Sequence, residues 1–335
     1  MKRVDEHQLG TELTPVMRRE IIAGVLLGML LTSPATALTV AVISDMNGSY
    51  GSVRYENRVS AAVEAIIDLK PDLVISTGDM VAGQRRPHLS EPEVRAMWKA
   101  FHAVVSTPLA AAGIPLAVTP GNHDASAYGG FEGERRIFAE EWRTRRPNLA
   151  FADDADYPFS YAFDLDGVRF VSLDATTVGS LPAGQMSKLE DAMEGAGPMR
   201  VVFSHLPLWP VAIGRETEVI GDPALADLFR ELGVDLHLSG HHHAFYPGAS
   251  DDVAYVAQAC LGAGPRALIG TGAKSETGFV VLEMTSPSDP ITVSFRAYPN
   301  FAETFDSTIL PPEIRSADAI LNRLDLADQI GRAHV

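Results

Sequence analysis

The chain holds a single cysteine, Cys260, in 335 residues. An intrachain disulfide and a thiolate zinc cluster are therefore both excluded, and Cys260 is expected to serve as a small buried apolar side chain. Positive charge is also scarce. Lys and Arg number 27 against 43 Asp and Glu, a formal net charge of -16, so no long nucleic acid is expected as a partner and an anionic substrate must meet positive charge placed locally. Long apolar runs are missing as well. The run "IIAGVLLGMLL", residues 21–31, falls short of the roughly 20 residues that span a bilayer, so no stable membrane anchor is expected. Arg18 and Arg19 precede that run, and Ala35 and Ala37 come after it in the small-residue pattern of a cleavage site. This predicts a signal peptide over residues 1–37, cleaved after Ala37, with export to the periplasm or medium. Met17 would begin a more compact signal than Met1 does.

No internal repeat or low-complexity linker interrupts the chain after Ala37, so residues 38–300 are expected to form one domain. Short apolar, β-branched runs recur: "LTVAVIS", "DLVIST", "IPLAVT", "VRFVSLD", "MRVVFS" and "VDLHLS". Between them, residues 57–69, 91–112, 134–145, 185–194 and 223–232 carry apolar side chains at three- and four-residue spacing, which predicts helices. "VAYVAQA", "GFVVLEM" and "ITVSFRAYP" come later without helices between them, and "SYAFDLDGVRF" predicts a hairpin turning at Asp166-Gly167. The fold class is α/β, with two mixed β-sheets packed as a sandwich and flanked by helices. Residues 301–335, after Pro311-Pro312, are expected to form a helical tail docked on the body.

Five strand-like runs end in residues able to hold a metal: Asp45 with Asn47; Gly78-Asp79; Gly121-Asn122-His123-Asp124; His205; and Gly240-His241-His242-His243. Singly these are turn residues, helix caps or core histidines. Together they are expected to converge, because ligands bind at the carboxyl ends of the strands in open α/β sheets. A glycine ahead of Asp79, Asn122 and His241 suits a sharp exit from the strand.

This ordered set resembles the calcineurin-like metallophosphoesterase superfamily over roughly residues 38–296. The resemblance implies a β-sandwich with a dinuclear site at one edge. It implies that Asp45 and His243 ligate one metal, that Asp79 bridges, that Asn122, His205 and His241 hold the second, and that His123 stays unligated as the acid. The implied reaction is hydrolysis of a phosphomonoester or small phosphodiester, with a metal-bridging hydroxide as nucleophile. Asn47 stands where that family usually has histidine. Its amide oxygen is a harder, weaker ligand than imidazole, so two divalent or trivalent ions are expected among manganese, iron, magnesium and zinc, with manganese or iron favoured. Ala82 occupies the position of the tyrosine that marks the purple acid phosphatase branch, which argues against an iron-tyrosinate centre.

Three outcomes compete at Asn47: a working centre with Asn47 as ligand or support, a centre filled only at high metal concentration, and an exported non-catalytic protein that binds phosphate or a phosphoryl ligand. His242 is expected to point outward or to support its neighbours, and His237 to be structural. Arg85 or Arg86 could meet a phosphate. The glycine-rich segment 261–272 is expected to be an ordinary loop near the site, and Trp209, Tyr128, Phe131 and Tyr246 either pack, which is the default expectation, or stack on an aromatic leaving group or a base.

Overall fold

The computed structural model describes residues 37–331 except 263, 273, 287 and 288. The expected signal segment falls outside these residues, apart from Ala37. The first sheet joins β1 (Leu38–Ile43), β2 (Leu73–Ser76) and β3 (Leu116–Val118), all parallel, to β11 (Gly278–Met284) and β12 (Thr292–Ala297), in the order β12-β11-β1-β2-β3. The second has nine strands in the order β13-β14-β9-β10-β8-β7-β6-β5-β4. They are β4 (Ala150–Asp156), β5 (Ser160–Leu165), β6 (Val168–Ser172), β7 (Met199–Phe203), β8 (Leu236–Ser239), β9 (Tyr246–Ser250), β10 (Val253–Ala257), β13 (Glu313–Arg315) and β14 (Ile320–Arg323). Within it β6, β7, β8 and β10 run parallel.

Alternation along the strands builds the layers. Phe163, Phe170, Phe203, Leu236, Leu238 and Val256 face the first sheet, in one continuous core with Val40, Val42 and the helix α1 (Asn57–Leu69). Their neighbours Ala162, Val171, Val202 and Tyr255 face the other way, against α6 (Ala183–Met193) and α7 (Pro223–Glu231). Each fully buried large apolar side chain contributes roughly 1.5–3 kcal/mol, so this two-sided pattern fixes the register of the central strands. His237 takes the outward side, bonded to Ser204 Oγ at 2.8 Å and packed on Phe229, and is structural as expected. The Asp166-Gly167 turn has positive φ at both residues (48° and 83°), the geometry a tight hairpin requires.

Two expectations need correction. The helix over 91–112 is broken into α2 (Glu91–Phe101), a π turn (His102–Ser106) and α3 (Thr107–Ala111). Pro108 has no N–H to continue the ladder, and the His102 ring bonds Ser106 Oγ at 2.6 Å across the wide turn. Among the described residues the tail is α-helical only over α8 (Leu324–Gly331). Ahead of it, β13 and β14 extend the nine-stranded sheet from β9, with Ile314 and Leu321 buried. Tyr246 Oη donates to the carbonyls of Pro311 and Leu321, both at 3.2 Å, which ties this addition to the body. The remaining helices among the described residues are α4 (Asn122–Ala125) and α5 (Glu132–Thr144), beside a short 3₁₀ turn at Ser307–Ile309.

Candidate metal centre

All five arms leave the carboxyl ends of parallel strands: Asp45 after β1, Asp79 after β2, residues 121–124 after β3, His205 after β7 and His241 after β8. Backbone hydrogen bonds lace these exits together. Asp45 N donates to Gly78 O (3.0 Å), Met46 N to Asp79 O (2.9 Å), Gly240 N to His205 O (2.9 Å) and Gly262 N to Asp45 O (2.7 Å). The glycines serve these exits in two ways, by backbone conformation and by close approach. Of the three, only Gly78 is left-handed (φ 97°), whereas Asp45, Asp79, His241 and His243 themselves hold φ of 49°, 54°, 64° and 51°. Such backbone costs about 1–3 kcal/mol per residue and is characteristic of functional sites. Gly240 is required for close approach, since a Cβ there would lie 2.1 Å from Ser44 Oγ and 2.9 Å from Asp45 Oδ2.

The side chains meet in two linked groups. His205 Nδ1 donates to Thr77 O (2.8 Å), which leaves Nε2 facing Asn122 Oδ1 (3.0 Å), His241 Nδ1 (3.3 Å) and Asp79 Oδ2 (3.4 Å). Ligand atoms of Asp79, His205 and His241 all lie within 4.8 Å of one another. His243 donates from Nδ1 to Gly264 O (3.2 Å) and brings Nε2 within 3.1 Å of Asp45 Oδ1. That oxygen is buried and has no aligned hydrogen bond among the described residues, while Asp45 Oδ2 accepts from Ser44 Oγ (2.6 Å) and His241 N (3.1 Å). With the His243 ring protonated, Asp45 and His243 form an ion pair, and a cation that displaced that proton would bind the same two atoms. The carboxylate, imidazole and amide donors suit first-row divalent metals.

Burial works against a charge on His205, but Asp79 and Asp45 overcome it and push the pKa from 6.5 up to about 9. Cations that take Nε2 must displace that proton. Because the folded pKa is the higher one, the stability His205 lends to chelated protein is whole below pH 6.5 and is lost as pH rises through about 9. Cation affinity is expected to change in the opposite sense, rising across the same window. Thermal melts of chelated protein paired with manganese titrations across that range check both signs.

His123 stands outside the ligand group. Its Nδ1 donates to Gly83 O (3.0 Å), its Nε2 lies 3.9 Å from Asp79 Oδ2, and the Tyr50 ring packs 5.2 Å away. Asn47 lines the same cavity of about 480 Å³ as Asp79, Asn122, His123, His241 and His243, with its Nδ2 donating to Val81 O (3.3 Å). Asp124 is buried and clamps three backbone amides: those of Met80 and Val81 at 2.8 Å and that of Gly121 at 2.9 Å. It thereby fixes the Asp79 and Asn122 loops to each other. His242 is fully buried, accepting from Val211 N (3.2 Å) and donating to Glu218 O (3.1 Å). Cys260 is buried as expected and lies against His243.

The arginines in the cavity are Arg215 and Arg266, not Arg85 or Arg86. Arg86 instead donates to Gly129 O (3.0 Å) and lies over the Phe131 ring. Arg215 pairs with Glu218, whose Oε2 also accepts from His241 Nε2 at 3.1 Å and so directs His241 Nδ1 toward His205. Burial first, and then the charge of Arg266, hold the Arg215 guanidinium below its ordinary range. Arg266 belongs to the 261–272 loop, which does border the site, and its buried Nε has no hydrogen-bond partner among the described residues. Trp209, Phe131 and Tyr246 pack inside, while Tyr128 lines the cavity.

Gln84 belongs to no motif of the sequence, yet it supports the site. It accepts from Asn122 Nδ2 (2.6 Å) and donates to Ser126 Oγ (3.0 Å), which turns Asn122 Oδ1 toward His205. Supporting bonds of this kind are worth about 10–100-fold in metal affinity. Gln84→Leu is expected to weaken manganese binding by about that factor in calorimetric titration, with melting of the chelated protein little changed.

Comparison with known proteins supplies the relatives. Residues 38–245 match the family model for calcineurin-like phosphoesterases. The serine/threonine-protein phosphatase CPPED1 of Bos taurus is 26% identical over 233 residues, spanning 63% of this chain and 67% of that protein. A purple acid phosphatase from yellow lupin (Lupinus luteus) seeds superposes with a TM-score of 0.60 at 19% identity, covering 81% of this chain and 53% of its own. This chain thus spans about half the length of that phosphatase. A dimetal phosphatase from Danio rerio superposes with a TM-score of 0.54 at 15% identity, covering 79% of this chain and 97% of its own.

Proposed function

The chain belongs to the calcineurin-like phosphoesterase family, and on that premise we propose that it hydrolyses small phosphomonoesters at a dinuclear metal centre with His123 as the acid. The observation that carries this reading is the convergence of Asp79, His205 and His241 from three separate strand ends to within 4.8 Å, beside the paired Asp45 and His243. Asp45 and His243 would hold one cation, Asn122, His205 and His241 the other, and Asp79 would be shared, with Asn47 supporting the first position. Amide oxygens at Asn47 and Asn122 favour manganese or iron over zinc. Bound there, the cations supply the charge that neutralises a phosphoryl group and lowers the pKa of water.

The protein's own groups complete the site. Arg266, and Arg215 with its partner Glu218, line the cavity and would meet the non-bridging oxygens, and the dianion of a monoester gains more from such positive charge than the single charge of a diester does. His123, fixed through Nδ1, offers Nε2 to the leaving oxygen. The pattern ahead of Leu38 supports export, which would put the activity outside the cytoplasm.

An aryl phosphate and a bis-aryl phosphodiester, each assayed with manganese, test the reading. Turnover of the monoester, exceeding that of the diester by about tenfold or more, is expected. Absence of turnover with both metal positions filled would instead leave a protein that binds phosphoryl ligands without hydrolysing them.

A further inference from the structure

Exposed apolar side chains on a folded surface mark a contact when they gather in one place. Tyr50, Val178 and Tyr128, which are 57%, 47% and 46% exposed, all lie around the mouth of the metal-site cavity. Tyr50 packs on His123 at 5.2 Å, and Tyr128 is anchored by Val178 N donating to its Oη at 3.2 Å. Tyr50, Gln84 and Tyr128 are shared with a second hollow of about 750 Å³, lined otherwise by Arg85, Arg86, Gly129 and Phe131. The cavity therefore carries two kinds of lining: the guanidiniums of Arg215 and Arg266, and the two tyrosine rings, which it shares with the adjoining hollow.

In an in-line displacement the leaving group departs beside the group that protonates it, which in the proposed hydrolysis is His123. We infer that the mouth formed by Tyr50, Tyr128 and Val178 is a leaving-group subsite that selects phosphomonoesters of alcohols bearing a planar aromatic ring. The ring lies against the tyrosine faces, and the adjoining hollow with the exposed Arg85 receives the remainder of the alcohol. On hydrolysis the P–O bond to that alcohol breaks, the alcohol leaves with the proton from His123, and the oxygen of water stays on phosphorus. This inference rests on the proposed hydrolase function, and its own failure is separable from that one.

The test uses three esters with alkyl leaving oxygens: benzyl phosphate, cyclohexylmethyl phosphate and glycerol 2-phosphate. Benzyl phosphate is expected to have a kcat/KM about tenfold above the other two, expressed in KM, since ring stacking acts on binding more than on chemistry. Tyr50→Ala and Tyr128→Ala should bring the ratio of benzyl to cyclohexylmethyl phosphate close to one, and Tyr50→Phe and Tyr128→Phe should restore it. Benzylphosphonate binding, measured by calorimetry, should show the same order among the variants. Equal kcat/KM for all three esters, or alanine variants that leave the benzyl preference intact, would overturn the subsite while the hydrolase reading stands. No hydrolysis of any of the three with both metals bound would overturn both.

Discussion

Asp79→Asn is expected to lower kcat/KM for any accepted phosphoester by about 10³-fold or more, the scale on which charge stabilisation of a transferring phosphoryl group acts. Asparagine keeps one oxygen but loses the negative charge and the second oxygen that would serve two cations in the proposed centre. The fold should survive. Asp79 holds neighbouring chain through its backbone carbonyl, which accepts from Met46 N and Asn47 N, and its Oδ1 contact with His123 N (2.9 Å) can be made equally by an amide oxygen. The chelated variant should therefore fold but melt below chelated wild type near neutral pH, because protonated His205 loses the Asp79 charge, while bound metal falls below two ions per chain. A variant with full metal content and near-normal turnover would show that Asp79 is a buried structural acid and nothing more.

His123→Ala should separate protonation from metal binding. General acid catalysis contributes typically about 10²–10⁴-fold. The loss should lie near the top of that range for an alkyl phosphate, whose leaving oxygen needs a proton, and near the bottom for an aryl phosphate with an acidic phenol. Metal content should not change, because the His123 ring contacts Gly83 and Tyr50 and lies outside the ligand group. Steady-state kinetics with both esters, beside metal analysis, check this. An equal loss on both esters, or loss of a metal ion, would assign His123 to structure or to the ligand set.

The parts of this molecule that local chemistry dictates were readable from the sequence. Helices at 57–69 and 223–231 come from their apolar spacing, the hairpin from Asp166-Gly167, and the convergence of candidate metal-holding side chains from polar residues placed directly after buried strands. What escaped is set by long-range geometry. Glu218 and Arg215 lie in a segment without periodicity and reach the site only because His242 and Val211 hold that segment in place. Tyr50 reads as one aromatic among eight tyrosines until the chain folds it onto His123. The strand Ala150–Asp156 is rich in acids and mostly exposed, so it lacks the alternation that marks a half-buried strand. Strands β13 and β14, at three and four residues, are too short to show a period at all.

The sharing of one carboxylate by two cations is tested most directly by electron paramagnetic resonance of manganese-loaded protein, with metal content measured on the same sample. Two ions per chain with the exchange-coupled spectrum of a close pair, lost in Asp79→Asn, is the predicted result. A spectrum of isolated manganese from a fully active enzyme, at one ion per chain, would contradict the account.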